Sequence, residues 1–320
     1  MRELSKDFIN DLKNTDGLLY PILARVKQDD TLMLAVRENY INIYYRGGNI
    51  LKIAEQSRDS YTTFFDLKYN RSGTVIPVLP RIIKNQADTT EWVNAFSNLK
   101  EVMDLFFSEK SKAEREFQQL VARENNSSTI SNESEYFVSD IEFADKDLGA
   151  RFDILAIRWL ASHRSNGATC RPALIEMKYG DGALGGTAGL LKHLQDNDAL
   201  ISNSEKYQAL LDTMESQFNQ LDELGLLNFH RSVNAKVKLN SKDKPEVIII
   251  LANHNPRSTK LSSILNDPEV IAYGESPRFD LKFFVSSFSG YGLHSDCMLT
   301  LAQFKKYLKN KKVESSAVPE

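Results

Sequence analysis

The run Val247-Ile248-Ile249-Ile250-Leu251 constrains the fold more than any other stretch of this chain. Side chains of a strand alternate between its two faces, so five consecutive aliphatic residues place apolar groups on both. Such a strand has to be covered on both sides, as the central strands of an α/β sheet are. The neighbouring segments supply the rest of such a layer. Stretches 187–200 and 205–224 carry apolar residues at helical spacing. Before them come three short β-rich segments, 136–143, 151–159 and 172–179. The turn Asp145-Lys146-Asp147-Leu148-Gly149 joins the first two, which predicts an antiparallel pair. A further strand is predicted over 283–287 and a closing helix over 299–308.

The first hundred residues read as a separate α+β module. A helical stretch over 5–27 precedes the aromatic and β-branched strand Tyr40-Ile41-Asn42-Ile43-Tyr44-Tyr45. Arg46-Gly47-Gly48-Asn49 then signals a turn, and Ile50-Leu51-Lys52-Ile53 resumes the strand pattern, together a hairpin. Another strand is expected over 61–67. Nothing in this module spells out a chemistry, and packing is the expected role of its residues. From 99 to 125 apolar residues recur at helical spacing, one long helix or two, ended by the polar run Glu124-Asn125-Asn126-Ser127-Ser128-Thr129. The predicted division is a module over 1–98, a second domain over 99–312 and a disordered tail over 313–320.

Charged residues inside apolar strands mark the candidate chemistry. Glu176-Met177-Lys178 closes the strand Ala173-Leu174-Ile175, and the strand before it carries Asp153 between Phe152 and Ile154. An acid followed two residues later by Lys also occurs at Asp11-Leu12-Lys13, Asp66-Leu67-Lys68 and Asp280-Leu281-Lys282, so the triplet alone decides nothing. Its context decides. Glu176 and Lys178 share a strand face, and opposite charges on an otherwise apolar face are costly unless paired or engaged with a metal. Two carboxylates side by side repel unless a cation lies between them, and Mg²⁺, which prefers oxygen donors and retains waters, suits that position. The competing reading is a buried ion pair of Lys178 with Asp153 or Glu176.

These residues and this order of helix, three strands, helix and strand, over about 112–252, resemble the PD-(D/E)xK phosphodiesterase superfamily of restriction endonucleases, resolvases and RecB-like nucleases. The resemblance implies a restriction-endonuclease-like αβββαβ core, with Asp153, Glu176 and Lys178 as the catalytic set and Asp153 and Glu176 as metal carboxylates. It implies Mg²⁺, with Mn²⁺ as the alternative ion, DNA as the partner, a homodimer, and a role in restriction or defence. The family often adds an acid from the first helix; Glu116 is the candidate and Glu114 its rival. Phe152 stands where the family often has Pro. Lys192-His193-Leu194-Gln195-Asp196 is only loosely similar to the Gln and Tyr pattern of RecB-like members, and leaves Lys192, His193 or Gln195 as possible phosphate contacts. A retired site that binds nucleic acid or protein without cutting is the alternative function.

Gly180-Asp181-Gly182-Ala183-Leu184-Gly185 is formally a GxGxxG between a strand and a helix. A dinucleotide fingerprint follows an apolar first strand and is answered about 20 residues on by an acid ending the next strand. Here the strand is charged, two strands precede it, and Glu205 falls between helices, so no dinucleotide is expected. Composition excludes other classes. At 42% hydrophobic and 26% charged, the 320 residues suit a soluble globular protein, and no apolar run of membrane-spanning length occurs. The N-terminal residues lack a signal-peptide core, which predicts a cytoplasmic protein. Net charge of −3 argues against a protein that coats nucleic acid but not against an enzyme with a local groove. Lys305, Lys306, Lys309, Lys311 and Lys312 read as a solvated helix face. Cys170 and Cys297 fit no metal or redox spacing.

Overall fold

The computed structural model describes residues 2–71, 73–186, 189–232, 235–253, 259–286, 293, 295 and 298–315, with side chains up to 309. It is a mixed α/β structure with two five-stranded sheets. The chain divides into two compact units, one formed by residues 1–123 with 216–228, the other by 124–215 with 229–320.

In the first unit, α1 (Lys6–Lys13) and α2 (Tyr20–Gln28) precede β1 (Leu32–Arg37), β2 (Tyr40–Tyr45), β3 (Gly48–Ser57), β4 (Ser60–Phe64) and the short β5 (Ile82–Ile83), followed by α3 (Gln86–Glu109) and the start of α4 (Ala113–Asn126). The strands form an antiparallel meander in sequence order. The expected hairpin is present. Arg46 and Gly47, with φ of 48° and 70°, form its two-residue turn, the backbone twist that suits a tight hairpin. A Cβ on Gly47 would lie 2.5 Å from the Arg115 backbone, so glycine is required there for space as well as for φ. The single helix expected over 5–27 is two. Gly17 lets the chain fold back on α1, where an added Cβ would sit 2.4 Å from the Asp11 carbonyl oxygen, and Pro21 starts α2.

The boundary expected at residue 98 falls inside α3 and is corrected by the structure. The helix starts twelve residues earlier, where the Asn85 side chain accepts the Asp88 N–H and the Asp88 carboxylate accepts the Asn85 N–H. This reciprocal cap fixes the helix start. Trp92, Phe96, Leu99, Met103 and Phe107, spaced by three or four, then form one buried stripe. The segment after 98 thus completes the first unit's core. Residues 216–228 join the same core from far along the chain: the Gln220 amide accepts the Leu4 N–H and donates to the Leu4 carbonyl, both at 2.9 Å, and Gln217 donates to the Val36 carbonyl.

The second unit holds β6 (Tyr136–Asp145), β7 (Ala150–Arg158), β8 (Arg171–Tyr179), α5 (Leu190–Ser202), the start of α6 (Ser204–Glu223), β9 (Glu246–Ala252), α7 (Thr259–Leu265), α8 (Pro268–Gly274), β10 (Asp280–Val285) and α9 (Leu301–Ser315). Its sheet runs β10-β9-β8-β7-β6. β6, β7 and β8 pair antiparallel, whereas β8, β9 and β10 are parallel. All seven residues of β9 are buried, as its apolar run requires. α9 extends to Ser315, so the expected tail is helical over its first three residues; 316–320 lie outside the described residues. Cys170 is a free buried thiol, and Cys297 lies outside the described residues. Among the described residues no helix is long and apolar enough to cross a membrane.

Candidate active site

The site forms where two strands part. β7 and β8 are in register from Arg158↔Arg171 to Ile154↔Ile175, and there their ladder ends, while β8 continues beside β9 through Glu176↔Ile249 and Lys178↔Leu251. One step past the last rung, the same register sets Asp153 opposite Glu176. The Met177 N–H has no strand partner on that side, and the Asp153 carboxylate accepts it at 2.9 Å. Asp153 therefore caps the opened ladder and is oriented by doing so. Glu176 and Lys178 alternate to the same face of β8. Both are buried, with 1% and 5% of their side chains exposed, and the Lys178 ammonium lies 3.9 Å from the Glu176 carboxylate.

The electrostatics follow from this crowding. Burial, and next the neighbouring Glu176 carboxylate, pushes the Asp153 carboxyl up to about 7. The Met177 N–H and the Lys178 ammonium pull it the other way. Asp153 and Glu176 thus stand opposite each other one step past the last rung of the ladder. The three rival triplets have other occupations: Asp11 accepts the Tyr61 hydroxyl at 2.6 Å, Asp66 caps the Lys68 N–H, and Asp280 is bound by Arg171 and Lys244.

Of the residues suggested in the following helix, α5, one reaches the site. His193 Nδ1 lies 3.2 Å from Glu176 Oε2. Lys192 pairs with Asp196 one turn along, and Gln195 donates to Glu269, both at the surface. Glu116 is not among the groups gathered here. It belongs to the first unit, where Arg46 Nε and Nη2 grip its two carboxylate oxygens at 2.9 and 3.2 Å and Arg46 Nη1 bonds Asp104. A fork of this kind uses the carboxylate that the sequence assigned to a metal.

A hard divalent ion fits the second unit's pair. The donors are two facing carboxylates, of which Asp153 is pushed up to about 7 by burial and next by its neighbour, a conflict that a cation between them would relieve. Among the described residues no group of three or more His, Cys, Asp and Glu side chains is arranged to hold an ion. Waters would complete the shell, as is usual for Mg²⁺. The glycine loop does not form a dinucleotide cradle: Asp181–Leu184 make a 3₁₀ turn, and α5 starts only at Leu190, so no helix N-terminus follows the motif directly. Comparison with known proteins returns no match: no family model, no curated protein and no solved structure is significantly similar to the chain.

Proposed function

We propose that the second unit is a Mg²⁺-dependent phosphodiesterase that hydrolyses DNA, built on the restriction-endonuclease-like plan, with Asp153 and Glu176 as metal carboxylates and Lys178 as the catalytic ammonium. The observation that carries this reading is the convergence of two carboxylates and one ammonium on one sheet face at the point where β7 and β8 part. The second unit's order of three antiparallel strands, helix and parallel strand supports it.

The chain's own residues divide the work as follows. Asp153 and Glu176 would hold Mg²⁺ or Mn²⁺, which when bound would supply Lewis-acid polarisation of a phosphoryl oxygen and acidify a water. The Met177 N–H fixes the direction of the Asp153 carboxylate. His193, whose Nδ1 lies 3.2 Å from one oxygen of Glu176, would orient it, the role that an outer partner plays for a ligating carboxylate. Lys178, on the same face as Glu176, positions the attacking water or stabilises charge on the phosphate oxygens.

Supercoiled plasmid incubated with purified protein and Mg²⁺ is expected to be nicked or degraded, with no cleavage after chelation. Lys178→Ala and Asp153→Ala are expected to abolish cleavage while circular dichroism stays unchanged. Cleavage at the wild-type rate in both variants overturns the assignment. Light scattering tests whether the active species is a dimer.

A further inference from the structure

The sheet of the first unit is covered on one face and open on much of the other. Ile41, Ile43, Leu51, Ile53 and Tyr61 point into the core. On the opposite face two cross-strand rows, Tyr40↔Ala54↔Thr62 and Asn42↔Lys52↔Phe64, line a cleft of about 500 Å³. Ala54 sits mid-row and leaves the floor of the cleft low. Tyr40 on β2 and Phe64 on β4 stand at its diagonal corners, and the Phe64 side chain is 56% exposed. The Lys52 ammonium lies 4.0 Å from the centre of the Tyr40 ring. The Asn42 and Asn49 amides are hydrogen-bonded to each other at 3.1 Å on the same floor. Among the described residues, no carboxylate lines the cleft.

We infer that this cleft is a binding site for unpaired nucleotides of a nucleic-acid strand. Charge complementarity selects the occupant: the cleft offers one cation and no anion, which suits a phosphodiester and disfavours an acidic or a purely apolar partner. The remaining groups match what splayed bases use. Aromatic rings on an open sheet give stacking platforms for bases of any identity, and side-chain amides can donate to and accept from base edges. A duplex presents neither feature, because its bases are stacked inside and only its backbone reaches the surface. The volume falls within the range of small-ligand pockets and accommodates a nucleotide. The choice of ligand rests on the nuclease reading of the second unit, but the cleft is formed by first-unit residues alone.

The test uses the full-length protein in EDTA, so that no strand is cut, and a fluorescein-labelled 20-nucleotide single-stranded DNA with the matching duplex as control. Anisotropy titrations are expected to give single-strand binding that weakens by roughly tenfold in Phe64→Ala and in Lys52→Ala. Lys52→Ala should also lower the slope of log affinity against log salt by about one. Duplex affinity should change less than about twofold. Phe64 is exposed and Lys52 half-buried, and an unchanged melting temperature shows that each variant folds. Single-strand affinity unchanged in both variants, absence of strand binding, or an equal loss on the duplex overturns the inference. These outcomes are separate from those of the nuclease reading. Cleavage that survives Lys178→Ala overturns that reading and leaves the cleft result standing, and Lys178-dependent cleavage with strand binding unaltered in both Phe64→Ala and Lys52→Ala does the reverse.

Discussion

Replacing Asp153 with Asn should stabilise the second unit at alkaline pH while destroying its chemistry, and the size of the effect follows from the site. Asp153 ionises near 3.8 in an unfolded chain and near 7 in the folded one, because burial and Glu176 oppose its charge. The folded state holds the proton longer. Stability is therefore undiminished below the unfolded value, falls as pH rises from about 4 to 7, and stays reduced above that. At about 1.4 kcal/mol per pH unit the three-unit gap sets an upper bound of about 4 kcal/mol. Asp153 is partly open to solvent, so water screens a share of this, and about 2 kcal/mol is the expected loss at pH 8. Asn keeps an oxygen for the Met177 N–H and carries no charge. Without metal at pH 8 the variant should melt about 4–8 °C above wild type, given roughly 2–4 °C per kcal/mol for a unit of this size. The difference should close as pH is lowered towards 4. Adding Mg²⁺ at pH 8 should raise the wild-type melting temperature and leave the variant where it is, since binding to the folded state alone is stabilising. Calorimetric scans from pH 4 to 9, with and without Mg²⁺, provide the measurement. A wild type that is no less stable than the variant at pH 8, or a difference independent of pH, refutes the claim that the two carboxylates compete.

His193→Ala should reduce cleavage by roughly 10- to 100-fold through misplacement of Glu176, with more Mg²⁺ needed for half-maximal rate; an unchanged Mg²⁺ titration would remove His193 from the site. Glu116→Gln should leave cleavage and its Mg²⁺ dependence untouched and cost at most about 1 kcal/mol in urea unfolding, because its ion pair with Arg46 is half exposed; loss of activity would return Glu116 to the metal set. Gly47→Ala forces a Cβ against the Arg115 backbone at positive φ and should lower the first unit's stability by roughly 2 kcal/mol or more, read as a shifted denaturation midpoint; a neutral outcome would mean that the hairpin turn can relax.

The three central residues of the site were legible because strand periodicity makes charge in an apolar strand conspicuous. Glu176 and Lys178 fall on one face by counting, and the turn at 145–149 foretold the antiparallel partner of the Asp153 strand. The hairpin at Arg46-Gly47 was legible for a similar reason, since turn chemistry is local. β1 and the start of α3 were missed although both carried local signals, the apolar run Leu32-Met33-Leu34-Ala35-Val36 and an Asn85 with an acid three residues on. His193 could be named only as one of three polar neighbours. Which of Lys192, His193 and Gln195 faces the strand depends on how α5 is rotated against the sheet, which no local pattern records.

By itself, the sequence determined what depends on neighbours within a few residues. That includes the fully buried character of β9, the alternation that unites Glu176 with Lys178, and the need for glycine at the hairpin turn. Only the tertiary structure decided what depends on distant parts of the chain. It parted β7 from β8 one residue beyond Ile154 and so made Asp153 the cap of Met177. It gave Glu116 to Arg46, 70 positions away, and brought residues 216–228 into the core of the first unit. It also left one sheet face open beneath Tyr40, Lys52 and Phe64. The physical reason is the same in each case: periodicity fixes the side of an element on which a group lies, and packing against remote segments fixes what that side meets.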